Sequence, residues 1–192
     1  MRSQMIAAVA AAFTAALSSA ALASDAGVVE TVAGTAYGTA PNQTQIEKHV
    51  GDMVQHRELL ETSRPGGMMV KFTDGSKLDL GAGSKAFVVA YVYKPEQAVA
   101  NAIVSLPEGS MHYVTGGMPK DHTTIYTPTA TMVLNGADIT VAVNDRGNTH
   151  MMIEEGSVTV RSRTTGQALV YNAGESVDIS PSGVTTSTAE LQ

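Results

Sequence analysis

Apolar and polar residues alternate along much of this chain, most clearly between residues 127 and 160. Within that stretch, residues 139–143 (ITVAV) carry bulky apolar side chains at every second position. Asn135-Gly136 precedes this run and residues 144–148 (NDRGN) follow it, and both have the composition of turns. Successive side chains on a β-strand point to opposite faces, so the pattern predicts antiparallel strands with one buried face.

The same alternation recurs elsewhere, whereas helical periodicity does not. Further strands are predicted at residues 28–32, 68–72, 77–80, 86–93, 103–106, 111–115, 123–127, 168–171 and 176–179, with two short ones around Gly51-Asp52. Breaks are predicted at residues 64–67, 107–110 and 155–157, and residues 95–101 hold one helical turn or a wide loop. The small, polar residues from Ser180 onward are predicted to fray.

These elements predict an all-β fold in a single domain of short, mostly antiparallel strands. The predicted arrangement is a two-sheet sandwich or an irregular, solenoid-like β-roll. The uneven turn spacing disfavours a regular solenoid, although wrapped strands could still stack in coils. The inward-facing positions are predicted to be Val70, Phe72, Leu78, Leu80, Val88, Leu106, Ile139, Val141, Val143, Ile153, Val158, Val160 and Ile179.

The first residues have the three parts of a secretory signal peptide. Met1-Arg2 supplies a positive charge, residues 5–17 are apolar and rich in alanine, and residues 21–23 (ALA) form a processing site. Residues 1–23 are therefore predicted to be removed by cleavage between Ala23 and Ser24. The apolar core is too short to span a membrane. We expect a periplasmic or secreted protein without membrane insertion after processing.

Composition narrows the choice of partners. The chain has 12 Lys+Arg against 18 Asp+Glu, and no cysteine. A net negative surface gains nothing from phosphate backbones or anionic lipid head groups, so nucleic acid is not an expected partner. With 3 phenylalanines, 6 tyrosines and no tryptophan, few aromatic platforms exist for sugars or bases. Tyr91 and Tyr93, on one face of a strand, could supply stacking.

One short phrase occurs three times between apolar runs: Asp74-Gly75-Ser76, Glu108-Gly109-Ser110 and Glu155-Gly156-Ser157. Glycine adopts positive φ readily, and acidic and serine side chains accept hydrogen bonds from nearby backbone amides. The phrase is therefore interpreted as turn chemistry rather than as a ligand site.

One further pattern is spread along the chain, at Gly51, Asp52, Asp74, Gly75, Ser76, Gly109, Thr127, Pro128, Ala130, Gly136, Glu155 and Gly156. Through these positions, residues 50–179 resemble the FecR domain, a bacterial extracytoplasmic β module. The chain departs from the family pattern at residues 133–137 (VLNGA), where the family has Gly, a short apolar residue, Arg, Gly and Thr. Any role of that arginine or threonine is therefore not expected here.

The resemblance implies a domain organisation and a function. Residues 24–49 would form an N-terminal strand and loop, residues 50–179 the FecR-like domain and residues 180–192 a polar tail. The best-known relatives link this module through a membrane helix to a segment that restrains a sigma factor. Only four residues precede the apolar core here, so we expect no sigma-regulator segment. The expected function is non-catalytic binding of a protein partner or envelope component, with a role in envelope sensing or signalling.

Carboxylate pairs are the residues that could support catalysis. Carboxylates stand together at Glu154-Glu155 and at Asp74 with Asp79, which leaves a hydrolase as the alternative. Adjacent strand residues point to opposite faces, however, so Glu154 and Glu155 could cooperate only across a bulge. No nucleophile motif is present, and neither catalytic residues nor a cofactor are predicted.

A further alternative is copper binding. Met111-His112 and His150-Met151-Met152 combine soft and borderline ligands, as copper-handling proteins can. His112, His150 and a nearby methionine such as Met151 would form the site. Methionine also fills gaps in aliphatic cores, and no metal ligand is assigned from the sequence.

Overall fold

The computed structural model describes residues 25–188. The predicted signal peptide and its cleavage site at Ala23 and Ser24 lie outside these residues, as does the end of the tail. The strands are β1 (Asp25–Thr39), β2 (Ile46–Glu47), β3 (Met53–Gln55), β4 (Glu58–Phe72), β5 (Lys77–Leu80), β6 (Lys85–Lys94), β7 (Val99–Val114), β8 (Thr123–Tyr126), β9 (Ala130–Val143), β10 (Thr149–Ser162), β11 (Ala168–Asn172), β12 (Glu175–Ser180) and β13 (Gly183–Thr188).

All these strands belong to one hydrogen-bonded sheet of 13 strands. Every pairing is antiparallel except that of β7 with β8, which is parallel. The all-β, mostly antiparallel fold predicted from the alternation is therefore confirmed. Between β6 and β7, the 3-10 helix Pro95–Gln97 supplies the single helical turn that was one of the two possibilities for this segment. No helix within residues 25–188 could cross a membrane.

The sheet is folded into two facing layers because five long strands change partners along their length. For example, residues 130–135 of β9 pair with β8 or β10, whereas residues 138–143 pair with β7 and β10. Layer 1 contains residues 36–39, 58–62, 99–106, 130–135 and 157–162 with β6, β8 and β11. Layer 2 contains residues 25–34, 66–72, 109–114, 138–143 and 149–154 with β3, β5, β12 and β13.

Several predicted breaks are wrong because they lie inside these long strands. Residues 64–67 are within β4, residues 107–110 within β7, residues 155–157 within β10, and Asn135-Gly136 within β9. In β7, β9 and β10 glycine explains the difference, since Gly109, Gly136 and Gly156 adopt φ of 91°, 61° and 75°. A residue in this conformation turns the strand toward the other layer, and pairing resumes beyond it.

The polar tail also differs from the prediction. Residues 183–188 form β13, which pairs with β12 from Ser180↔Gly183 to Glu175↔Thr188. The prediction that the chain frays from Ser180 onward is therefore wrong for residues 180–188. Backbone pairing with an existing edge strand does not require apolar side chains, which is why composition gave no sign of this strand.

The core lies between the two layers. All thirteen positions predicted to face inward are buried, and none is more than 5% exposed. Phe72 of layer 2 stacks on Tyr91 of layer 1, with ring centroids 4.0 Å apart. The alternation therefore predicted which strand face is buried, although it did not show that the strands are bent.

A buried ion pair holds the first strands against β4. The Lys48 Nζ lies 2.6 Å from Glu58 Oε1, and the two side chains are only 5% and 1% exposed. Lys48 also donates to the Met53 carbonyl oxygen, and the Gln55 amide donates to Glu58 Oε2. Both charges therefore have partners in a place that water does not reach.

His56 makes stability depend on pH. Its Nδ1 accepts a hydrogen bond of 2.9 Å from the Tyr91 amide, which requires an unprotonated nitrogen. Burial lowers the pKa of His56 below its ordinary value of 6.5, despite the opposing charge of Asp25. Below pH 6.5, His56 binds a proton in the unfolded chain but stays largely unprotonated in the folded chain. The free energy of unfolding should therefore fall as the pH drops from 6.5 toward the lowered pKa.

We expect the His56→Gln variant to lose less stability than the wild type when the pH is lowered from 7.5 to 5. Thermal unfolding over this pH range measures the effect. His49→Gln is the matched control, because the His49 side chain is 71% exposed. A difference in melting temperature between wild type and His56→Gln that stays constant over this pH range would contradict the prediction.

Candidate functional surfaces

The Asp74-Gly75-Ser76 motif forms a structural junction. The Asp74 carboxylate accepts four hydrogen bonds, from the Ser76 amide and hydroxyl, the Met118 amide and the Tyr91 hydroxyl. The Ser76 hydroxyl also accepts from the Gly116 amide. The motif therefore ties the hairpin between β4 and β5 to the loop after β7 and to layer 1.

Two buried tyrosines extend this junction between the layers. The Tyr91 hydroxyl donates to Asp74 at 2.6 Å and lies 3.3 Å from the Tyr113 hydroxyl. Burial raises the pKa of Tyr91 far above its ordinary value, and it raises the pKa of Tyr113 to about 12. Both phenols therefore stay protonated, and Tyr113 donates to Tyr91 because the Tyr91 proton is directed to Asp74. Tyr91 serves the core and is not a stacking platform.

The Thr127-Pro128-x-Ala130 motif is likewise structural. The Thr127 hydroxyl accepts from the Ala130 amide and from the Thr149 hydroxyl. The Thr129 hydroxyl donates to the Thr149 hydroxyl oxygen, 2.8 Å away, and its oxygen lies 3.2 Å from the Ile179 carbonyl oxygen. This buried hydroxyl network joins the turn before β9 to β10 and β12.

The remaining motif residues lie at turns and bends. Gly51-Asp52 makes the turn before β3, where Asp52 accepts from the His49 amide at 2.8 Å. Gly136 and Gly156 lie side by side at the bends of β9 and β10, and a Cβ atom at Gly156 would collide with the Gly136 carbonyl oxygen. At the departure from the family pattern, the buried Asn135 Oδ1 has no hydrogen-bond partner among the described residues.

The outer face of layer 2 is polar. We call it the charged face and define it by Asp79, His112, Asp138, His150, Glu154 and Asp178. His112 Nε2 lies 2.5 Å from Asp138 Oδ1, and His150 Nδ1 lies 2.8 Å from Asp178 Oδ1. Each histidine thus has its own carboxylate partner.

Two of the three methionines considered as copper ligands point away from the histidines. Met111 and Met151 are buried in the core, 1% and 0% exposed, and strand alternation places them on the side opposite His112 and His150. Met152 is 41% exposed on the charged face. A copper site that uses Met111 or Met151 with these histidines is therefore excluded, whereas copper binding by His112 and His150 with Met152 stays a prediction.

Two carboxylate pairs were candidates for a hydrolase, and their surroundings differ. Asp74 is occupied by its four hydrogen bonds, whereas Asp79 is exposed on the charged face. The register of β10 against β9 shifts on either side of Glu155, and both Glu154 and Glu155 are exposed. The strand therefore has the bulge that Glu154 and Glu155 would need in order to act together. The Glu154 carboxylate accepts a hydrogen bond from the Thr140 hydroxyl.

The outer face of layer 1 is apolar, and reasoning from the sequence missed it. We call it the apolar face and define it by Leu59, Phe87, Ile103, Tyr126, Val133 and Val170. One row of paired residues runs Leu59, Phe87, Ser105, Tyr126, Thr131, and the next runs Ile103, Thr124, Val133, Thr159, Val170. Charged residues border these rows: Arg161 pairs with Thr131 at the end of the first row, and Glu61 pairs with Lys85 beside Leu59 and Phe87.

A signal for this face was present in the sequence. Residues 86–89 (AFVV) are apolar at every position, which is the pattern of a strand with two apolar faces. Within the described residues, the strands pack against the core on only one of those faces. The partly exposed side of Phe87 is therefore available to another molecule.

Comparison with known proteins identifies the same β domain. A family model described as FecR protein matches residues 58–159. Two crystal structures of a candidate anti-sigma factor from Parabacteroides distasonis are similar, with TM-scores of 0.54 and 0.53 at 16% and 17% identity. Each match covers 68% of this chain but only 59% of that protein, so less than two thirds of its length is represented. At this identity the likeness is one of fold. No curated protein matches the chain.

Proposed function

The chain belongs to the FecR protein family, and on that premise we propose that it is an exported, non-catalytic module that binds a protein partner through the apolar face. The export is supported by the signal-peptide pattern of residues 1–23. A role in sensing or signalling is supported by the family and by the fold shared with a candidate anti-sigma factor.

The apolar face is the observation that carries this proposal. Its rows place Phe87, Tyr126 and Ile103 within a few strands of one another, interleaved with serine and threonine. Covering such a contiguous apolar surface lowers the free energy because water is released from it, and aromatic side chains contribute much of the binding energy at protein interfaces. Hydroxyl side chains can form hydrogen bonds across the same interface. A folded protein with an apolar patch fits this surface better than a charged polymer does.

The motif residues support a role in binding rather than in catalysis. Asp74, Ser76, Thr127 and Thr129 form hydrogen bonds that hold the layers together. Their polar atoms are directed to protein groups and not toward a cleft. The family motifs therefore build a rigid scaffold, and a rigid sheet holds the apolar face in shape for a partner.

Site-specific photo-crosslinking in the cells that produce the full chain tests this proposal. A photoreactive residue in place of Ile103, on the apolar face, should yield an adduct of one repeated mass. The same residue in place of Met152, on the charged face, should yield none. Adding Phe87→Asp should reduce the Ile103 adduct about 30-fold, because a buried aromatic contact is worth about 2 kcal/mol or more.

Met152→Asp is the matched control for Phe87→Asp, since it introduces the same charge on the other layer. It should leave the Ile103 adduct unchanged. Recovery of monomer alone, or equal adducts from Ile103 and Met152, would contradict binding through the apolar face.

A further inference from the structure

Three potential metal ligands meet on the charged face. His112 of β7, Asp138 of β9 and Glu154 of β10 each offer one ligand atom, and these atoms lie within 4.8 Å of one another. The closest two are His112 Nε2 and Asp138 Oδ1, at 2.5 Å. The three residues come from adjacent strands of one layer, so the sheet itself fixes their spacing.

The strand register explains this convergence. His112 pairs with Thr140, which lies two residues after Asp138 on the same outer side of β9. The shift in register between Ile153 and Glu155 then brings Glu154 beside Asp138. Thr140 Oγ1 donates to Glu154 Oε1 at 3.2 Å and so orients that carboxylate. A hydrogen bond of this kind to a ligand is a common support for metal sites.

The charges at this place are not balanced by protein cations. Within residues 25–188, no lysine or arginine nitrogen lies within 4.0 Å of the Asp138 or Glu154 carboxylate. Asp79 pairs directly with His112 on the next strand and adds further negative charge. Two carboxylates this close repel each other, and a bound cation would relieve that repulsion.

We propose that His112, Asp138 and Glu154 bind one zinc ion, with water in the fourth position. An imidazole nitrogen and two carboxylate oxygens are ligands that zinc accepts at about 2.0–2.2 Å. Ligand atoms of one tetrahedral zinc lie about 3.4 Å apart at such bond lengths. To reach that spacing, the His112 and Asp138 side chains would have to rotate apart from their present 2.5 Å. This site does not depend on the apolar face and has no part in partner binding through it.

The second histidine on this face provides a matched control. His150 also pairs with an aspartate, Asp178, and it too lies on the outer side of layer 2. No third carboxylate joins that pair within the described residues. If the histidine–aspartate pairing were enough to hold zinc, both places would bind it.

Isothermal titration of the full chain with zinc chloride tests the site. Wild type should bind one zinc ion per chain with a micromolar Kd. His112→Gln and Glu154→Gln should each weaken binding at least tenfold, whereas His150→Gln should leave the Kd unchanged. All three positions lie on the outer face, so the variants should retain the wild-type circular dichroism spectrum.

Histidine NMR spectra of the wild type give a second readout that needs no variant. Zinc should shift the His112 ring resonances and leave those of His150 in place. Absence of binding at millimolar zinc, equal affinity in Glu154→Gln and wild type, or equal loss in His150→Gln and His112→Gln would each overturn the proposal.

Discussion

Val141→Asp is expected to unfold the domain. Val141 is 0% exposed and belongs to the core between the layers. It pairs with Met111 on one side and Met151 on the other, and both of these are also buried. A carboxylate there has no cation to pair with and would lose its hydration, which costs more than about 4 kcal/mol. Domains of this size are stable by only about 5–15 kcal/mol.

Circular dichroism and thermal melting measure this effect. Ala142→Asp is the matched control, because the neighbouring side chain lies on the charged face beside His150. The control should melt close to the wild-type temperature, whereas Val141→Asp should show no cooperative transition. Unchanged melting of Val141→Asp would mean that the inner and outer faces of β9 are assigned the wrong way round.

Glu58→Gln is expected to lower the free energy of unfolding by about 3–5 kcal/mol. The substitution leaves the buried Lys48 ammonium, 5% exposed, without the carboxylate that lies 2.6 Å away. The glutamine oxygen can still accept from the Gln55 amide, so the loss comes from the uncompensated charge. Urea unfolding monitored by circular dichroism gives this free energy.

Two further variants separate burial from pairing. Lys48→Met combined with Glu58→Gln removes the stranded charge and should recover most of the stability. Glu30→Gln breaks the surface pair with Lys71, 3.6 Å apart, and should cost less than about 1 kcal/mol. Equal losses from Glu58→Gln and Glu30→Gln would show that burial of the Lys48–Glu58 pair has no energetic consequence.

The burial of individual side chains could be predicted from the sequence, and the candidate sites could not. Val141 and Ile153 were assigned to the core because period-two alternation is a local property of each strand. His112 was singled out as a ligand, but with His150 and Met151 as its partners. The structure instead places Asp138 and Glu154 beside it, from strands whose register with β7 no local pattern reveals.

The bends within the long strands could not be predicted from the sequence either. Gly109 and Gly156 were recognised as glycines with turn chemistry, and their positive φ bears this out. A turn that ends a strand and a bend within a strand require the same residue types, however. Only the pairing of residues on both sides of the bend, such as Ser157↔Asn135 and Ile153↔Ile139, distinguishes the two.

By itself, the sequence determined the all-β class, the mostly antiparallel strands, the residues of the core and the family. All four properties depend on the order of residues along the chain, because alternation and motif spacing can be read directly from that order. Only the tertiary structure decided that one sheet folds into two layers, that layer 1 has an apolar outer face, and that His112, Asp138 and Glu154 meet on layer 2. Those features depend on which distant strands pair and in what register, and that choice is made by contacts across the whole domain.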